Sequence, residues 1–264
     1  MTQLSNGCRL CPRQCGADRS GGTPGYCGVA EPGIYAARAA LHLWEEPCIS
    51  GETGSGAVFF SGCPLRCVYC HNPDTWAAEG GDTVEADALV QKALRCRAYW
   101  GDSGGVTVSG GEPLLQAPFV EEFFAKLQAQ GVHTALDTSG VGNLAGAERV
   151  LRHTDLVLCD LKFLTQADYL QYCRADLTQV ERFLQLTAMK GVPLWIRHVV
   201  VPGLTDSLEH LRLVKAKAES YPNLEKLEFL PFHKLCLEKY DRLGLEFPLR
   251  DTPAMNDAWL KLLL

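Results

Sequence analysis

Six short runs rich in apolar and β-branched residues recur along this chain, at 57–61, 105–109, 133–137, 156–160, 194–200 and 226–230. No other feature restricts its fold as strongly. The runs show little polar alternation, as expected of strands covered on both faces. Helical-looking stretches separate them. In one, at 118–130, Phe119, Phe123 and Leu127 recur at helical spacing; 178–190 is another. Gly131 and Gly191 follow these two stretches and read as C-terminal stops. Strands alternating with helices, joined by right-handed crossovers, give a barrel or a doubly wound parallel sheet. The polar motifs choose between them. Cys63 follows the first run and Gly110 the second; Asp137 closes the third and Asp160 the fourth; His233 lies just past the sixth. A doubly wound sheet gathers its chemistry at one switch point, whereas a barrel spreads it over many strand ends. The expected fold is therefore α/β and barrel-like.

The loop after the first run carries F-F-S-G-C-P-L-R-C-V-Y-C-H-N-P, with Cys63, Cys67 and Cys70 at spacings of four and three. Three thiolates can hold three irons of a 4Fe–4S cubane and leave the fourth iron open to a ligand. Zinc is the competing reading, with His71 as a fourth ligand, and buried inert thiols are a third. Ferredoxin-type runs are as compact but normally supply four ligands per cluster.

The chain has 264 residues, room for one large domain or a domain plus a small module, and a formal charge of −6. That balance, without a long basic run, argues against binding nucleic acid through phosphate neutralisation. Twelve cysteines in clusters suit metal ligation in a reducing compartment better than a disulfide framework. No apolar run approaches the length of a membrane span. The opening M-T-Q-L-S-N-G-C has no basic stretch followed by an apolar one. A cytoplasmic monomer is the expectation.

C-x3-C-x2-C with Tyr69 before its last cysteine resembles the signature of the radical S-adenosylmethionine (SAM) enzymes. From about residue 50 to 250 the chain is similar to the glycyl-radical-enzyme activating members of that group, the pyruvate formate-lyase activating enzyme family. The resemblance implies an open (β/α)6 partial TIM barrel over 51–264. It implies a 4Fe–4S cluster whose free iron chelates the amino and carboxylate groups of SAM, with Tyr69 near the adenine. S-G-G-E-P, with Gly110, Gly111 and Glu112, looks like the segment that meets the SAM amino group. D-T-S-G and D-L-K resemble segments bordering SAM. There Asp137, Thr138 and Asp160 would hold a monovalent cation, helped by the Leu158 carbonyl, and Lys162 would pair with the cosubstrate. Arg197, in W-I-R-H-V-V-V-P-G-L-T-D, and His233, ending L-P-F-H, would also reach the site. The implied catalytic set is Cys63, Cys67, Cys70, Lys162 and Arg197. The implied partners are a glycyl radical enzyme as protein substrate and a flavodoxin or ferredoxin as reductant. A radical SAM enzyme acting on a small molecule or another peptide is the alternative.

Residues 1–50 read as a separate cysteine-rich module. Cys8, Cys11, Cys15 and Cys27 lie among many glycines and few apolar residues, so the piece needs a staple to fold. Either zinc or a second Fe–S cluster suits four cysteines. Their position ahead of the triplet departs from the family, whose extra clusters usually follow it. Cys48 is a spare ligand candidate. Cys96, Cys159, Cys173 and Cys236 have no ligand spacing and read as core thiols.

Overall fold

A computed structural model of the chain describes residues 7–9, 11, 13–19, 21–29, 35–42 (backbone only), 55–76, 82–100, 104–256, 258 and 260. The strands are β1 (Tyr35–His42), β2 (Ser55–Phe60), β3 (Asp82–Thr83), β4 (Gly105–Gly110), β5 (His133–Thr138), β6 (Leu156–Asp160), β7 (Leu194–Val200) and β8 (Leu224–Pro231). They form one sheet in the order β3-β1-β2-β4-β5-β6-β7-β8. From β2 to β8 every pairing is parallel, which yields the six expected strands. β1 runs antiparallel to β2, with Ala40 opposite Ala57, and pairs on its other side with β3, so these two extend the sheet beyond the strands that the sequence reading expects. β1 falls inside the stretch assigned to the cysteine-rich module, so the sheet begins before residue 51. Cys48 lies outside the described residues.

The helices packed on the sheet include α1 (Ala86–Leu94), α2 (Ala117–Gln128), α3 (Leu144–Leu151), α4 (Leu177–Lys190), α5 (Leu208–Glu219) and α6 (Leu237–Arg242). Local chemistry starts and stops them. Asn143 and Asp176 accept amide hydrogen bonds at the starts of α3 and α4. Gly191 ends α4 in the left-handed conformation, and Gly131, just past α2, also has positive φ. The face of α2 toward the sheet buries Phe119, Phe123, Phe124 and Leu127.

Burial alternates along β7, and this decides where the site lies. Leu194, Ile196, His198 and Val200 are buried, mainly toward the helices. Trp195 packs on Ala135, Leu156 and Leu158 in a small second core on the concave side. Two residues further on, Arg197 shares that concave face, nearer the C-terminal strand ends. The sheet is an open parallel array backed by helices, a partial barrel. No helix among the described residues is long and apolar enough to cross a membrane.

Candidate active site

At the C-terminal strand ends lies a cavity of about 250 Å³. The loop after β2 contributes Cys63, Cys67, Tyr69, Cys70 and His71; β4 contributes Ser109 and Gly110, followed by Gly111; β5 contributes Asp137 and Thr138; β6 contributes Asp160, followed by Lys162; β7 contributes Arg197. The spread over successive strands is the barrel pattern.

The cysteine loop has no regular structure of its own, so its neighbours hold its backbone. Gly62 N–H donates to Thr75 O at 2.7 Å, and Glu112 N–H to Gly62 O at 2.9 Å. Arg66 and Val68 N–H donate to Cys173 O and Tyr172 O, both at 2.9 Å. The Tyr240 hydroxyl donates to Cys70 O at 3.1 Å. The glycines of S-G-G-E-P serve the same end. A Cβ on Gly111 would lie 2.2 Å from Gly62 O, and one on Gly110 2.5 Å from Phe60 N. These two residues are small because strand and loop backbones pass close to them, a reason separate from any ligand.

The thiols are poised for a cation. Burial raises Cys63 well above the ordinary thiol range and Cys70 to about 12, and the neighbouring thiols add to both shifts. A hydrogen bond from the Cys173 thiol holds Cys67 below it, against burial. Three buried sulfurs sharing one cavity are costly as thiolates unless positive charge joins them. An iron cluster supplies that charge, so the donor set fits one. Among the described residues no three His, Cys, Asp or Glu side chains are placed to hold a metal ion directly. A cubane instead takes each cysteine on a separate iron and needs space between them.

Asp160, Lys162, Arg197 and Asp137 form a charged ladder beside the thiols. Lys162 Nζ donates to Asp160 at 3.0 Å, and Arg197 Nε donates to the other Asp160 oxygen at 3.1 Å. The far nitrogen of Arg197 donates to Asp137, which also accepts from the Ser109 hydroxyl at 2.6 Å. The two acids respond oppositely. Burial raises Asp137, and the lowering by Arg197 does not overcome it. Burial also works on Asp160, but Lys162 and Arg197 together outweigh it and bring that carboxyl to about 2. Burial opposes the charge on Lys162, yet Asp160 and Cys67 hold its pKa well up.

Several sequence expectations meet a different arrangement. Glu112 is fully buried and lies outside the cavity lining. Its carboxylate accepts from Leu114 N–H, the Thr138 hydroxyl at 2.6 Å, and both Ser139 N–H and hydroxyl, which ties β4 to β5. The monovalent cation expected among Asp137, Thr138 and Asp160 finds the guanidinium of Arg197 between the two acids, and Thr138 is turned to Glu112. His233 also lies outside the lining. It stacks on His71, ring centroids 4.1 Å apart, and its carbonyl faces His71 Nε2 at 3.1 Å. His71 is the member that lines the cavity, and burial beside His233 lowers it to about 4. Ser109 was not singled out from the sequence; its place as the penultimate residue of a strand with loaded neighbours was the available signal. Cys173, read as a plain core thiol, touches Cys67. Tyr69 is buried; its hydroxyl faces Lys162 O at 3.4 Å and its ring packs near Phe163.

The four N-terminal thiols converge separately. Cys8, Cys11, Cys15 and Cys27 line one small pocket with Pro64 and Leu115.

Comparisons with known proteins bear on the family and the fold. The sequence model of the Radical SAM superfamily matches residues 57–214. The chain is 46% identical over 200 residues to the pyruvate formate-lyase-activating enzyme of Clostridium pasteurianum, covering 75% of this chain and 84% of that one. It is 42% identical over 231 residues to the enzyme of that name from Staphylococcus aureus, covering 83% and 92%. Streptococcus suis SuiB bound to S-adenosylmethionine superposes with a TM-score of 0.52 at 15% identity, over 66% of this chain and 39% of that one, a likeness of fold.

Proposed function

The chain belongs to the radical SAM superfamily, in the family of pyruvate formate-lyase-activating enzymes, and on that premise we propose that it is an activase that takes a hydrogen atom from one glycine of a partner glycyl radical enzyme. The observation that carries this reading is the shared cavity: the three cysteines of one loop face the charged ladder of β5, β6 and β7 across it. A 4Fe–4S cluster on Cys63, Cys67 and Cys70, reduced by a flavodoxin or ferredoxin, would supply the one-electron cleavage of SAM that yields a 5′-deoxyadenosyl radical.

The residues of the chain do the rest. Lys162, fixed by Asp160, offers its ammonium to the cosubstrate carboxylate. Arg197 holds Asp160 and Asp137 in register, so the acids present fixed negative charge to an ammonium without closing on one another. Tyr69 forms an apolar wall for the adenine. A carbon radical must meet its target carbon near van der Waals contact and away from water. The target glycine therefore leaves its own fold and enters the cavity at the strand ends as an extended segment. The chemistry suits a reducing cytoplasm and a monomer that meets its partner transiently.

Deuterium tests the reading. A candidate partner carrying deuterated glycine is incubated anaerobically with the reconstituted protein, SAM and dithionite. Deuterium in 5′-deoxyadenosine supports activation; 5′-deoxyadenosine without label from every glycyl radical enzyme tried moves the substrate to a small molecule or another peptide.

A further inference from the structure

Among the described residues of the N-terminal unit, the buried side chains are Cys8, Cys11 and Cys27 with Val29 and, at 8% exposure, Arg19. A piece this small with thiols in place of a core needs a metal to fold. Arg19 adds a second, independent observation. Its guanidinium donates to Val29 O at 3.0 Å and to the sulfur of Cys27 at 3.3 Å. A buried cation aimed at a sulfur matches the net negative charge of a thiolate-ligated cluster. The four thiols converge on one pocket, where each can ligate a separate iron of a closed cluster.

The unit is also docked on the cysteine loop of the active site. Cys63 N–H donates to Cys27 O at 3.2 Å. Arg66 donates to Tyr26 O at 2.7 Å and to Cys63 O at 2.8 Å. Arg13 donates to Pro64 O at 3.1 Å and lies over the Tyr26 ring. One ligand candidate from each cysteine group is thus joined to the other through main-chain bonds and a single hydrogen bond. Of the four cysteines, Cys15 is the exposed one.

We propose that Cys8, Cys11, Cys15 and Cys27 hold a second 4Fe–4S cluster, closed by four thiolates, which relays electrons to the cluster at Cys63, Cys67 and Cys70. The relay half rests on the radical SAM reading above; the metal half does not. A one-electron donor of the flavodoxin or ferredoxin class is oxidised at the exposed Cys15 edge. The electron passes by way of Cys27 and Cys63 to the active-site cluster, and the N-terminal cluster returns to its oxidised state. No bond is made or broken and no proton moves.

Anaerobic reconstitution of the C63A/C67A/C70A variant with iron and sulfide tests the metal. About four irons per chain, as four cysteines would ligate, and a reducible electron-spin-resonance signal are expected. Zinc in their place, or no bound metal, overturns the proposal whatever the activity of the wild type. The relay is tested with the C8A/C11A/C15A variant, mixed in a stopped-flow instrument with a reduced ferredoxin and read by cluster bleaching. SAM binding is expected to persist while reduction of the remaining cluster slows at least tenfold. An unchanged rate overturns the relay. If the triple variant does not fold, C15S, which removes only the exposed ligand, is put through the same measurement under the same criterion.

Discussion

Arg197 carries more of the site than its single position suggests. It donates to Asp160 and Asp137 at once, and its side chain is only 14% exposed. Removing it leaves two carboxylates facing one another with Lys162 alone to balance them. Breaking a buried pair in this way costs about 3–5 kcal/mol. R197M is expected to lose stability on that scale in urea unfolding, and D137N, which keeps the Asp160 contacts, to lose less. His198 makes a separate prediction. Its Nδ1 lies 2.6 Å from Leu161 O and its other nitrogen 3.3 Å from His210, and burial lowers it from 6.5 to about 4. Between those values the unfolded chain takes up a proton that the folded chain refuses. Stability therefore falls as pH drops through this window. At about 1.4 kcal/mol per unit, the loss between pH 6.5 and 5 is roughly 2 kcal/mol. His210, whose pKa burial also lowers, adds in the same direction. Urea midpoints at the two pH values are expected to differ less in H198Q; an unaltered difference would remove His198 as the cause.

The elements that build the site were legible to different degrees. Strands β2 and β4 to β8 and helices α2 and α4 could be read because apolar runs, helical spacing and glycine stops are local signals. β1 could not, because its run Y-A-A-R-A-A-L-H is interrupted by Arg38 and made mostly of alanine, which is depleted in strands. The charged ends of β5 and β6 were visible as acids closing apolar runs. Their partners were not, since the contact of Arg197 with Asp137 spans three strands. The glycine pair after β4 was visible as well, but its cause was tertiary. G111A is expected to destabilise by about 1–3 kcal/mol or more, because its Cβ would collide with the carbonyl that anchors the cysteine loop. Iron uptake at the triplet should fall with it. G191A is the control: it has positive φ but nothing within 4 Å of a Cβ, so it should cost about 1 kcal/mol and leave iron uptake alone. Equal iron loss in both variants would separate the loop anchor from the cluster.

At the scale of the whole molecule, one sheet serves three purposes. Its helix side supplies the core, with the aromatic residues of α2 at its centre. Its concave side is plugged near the strand starts by Trp195 and its neighbours, which leaves the strand ends free for chemistry. Its strand ends carry the charged ladder and the cavity to which the proposed reading brings the substrates. The cysteine loop joins all three, since strands, the Tyr172–Cys173 segment and the N-terminal unit each hold part of its backbone. The account stands on an iron of the triplet that no side chain occupies. Electron–nuclear double resonance tests this directly, on the reduced C8A/C11A/C15A variant given SAM labelled with nitrogen-15 at its amino group. The account predicts a hyperfine coupling between that nitrogen and the cluster at Cys63, Cys67 and Cys70. No coupling with SAM bound and the cluster intact would contradict it.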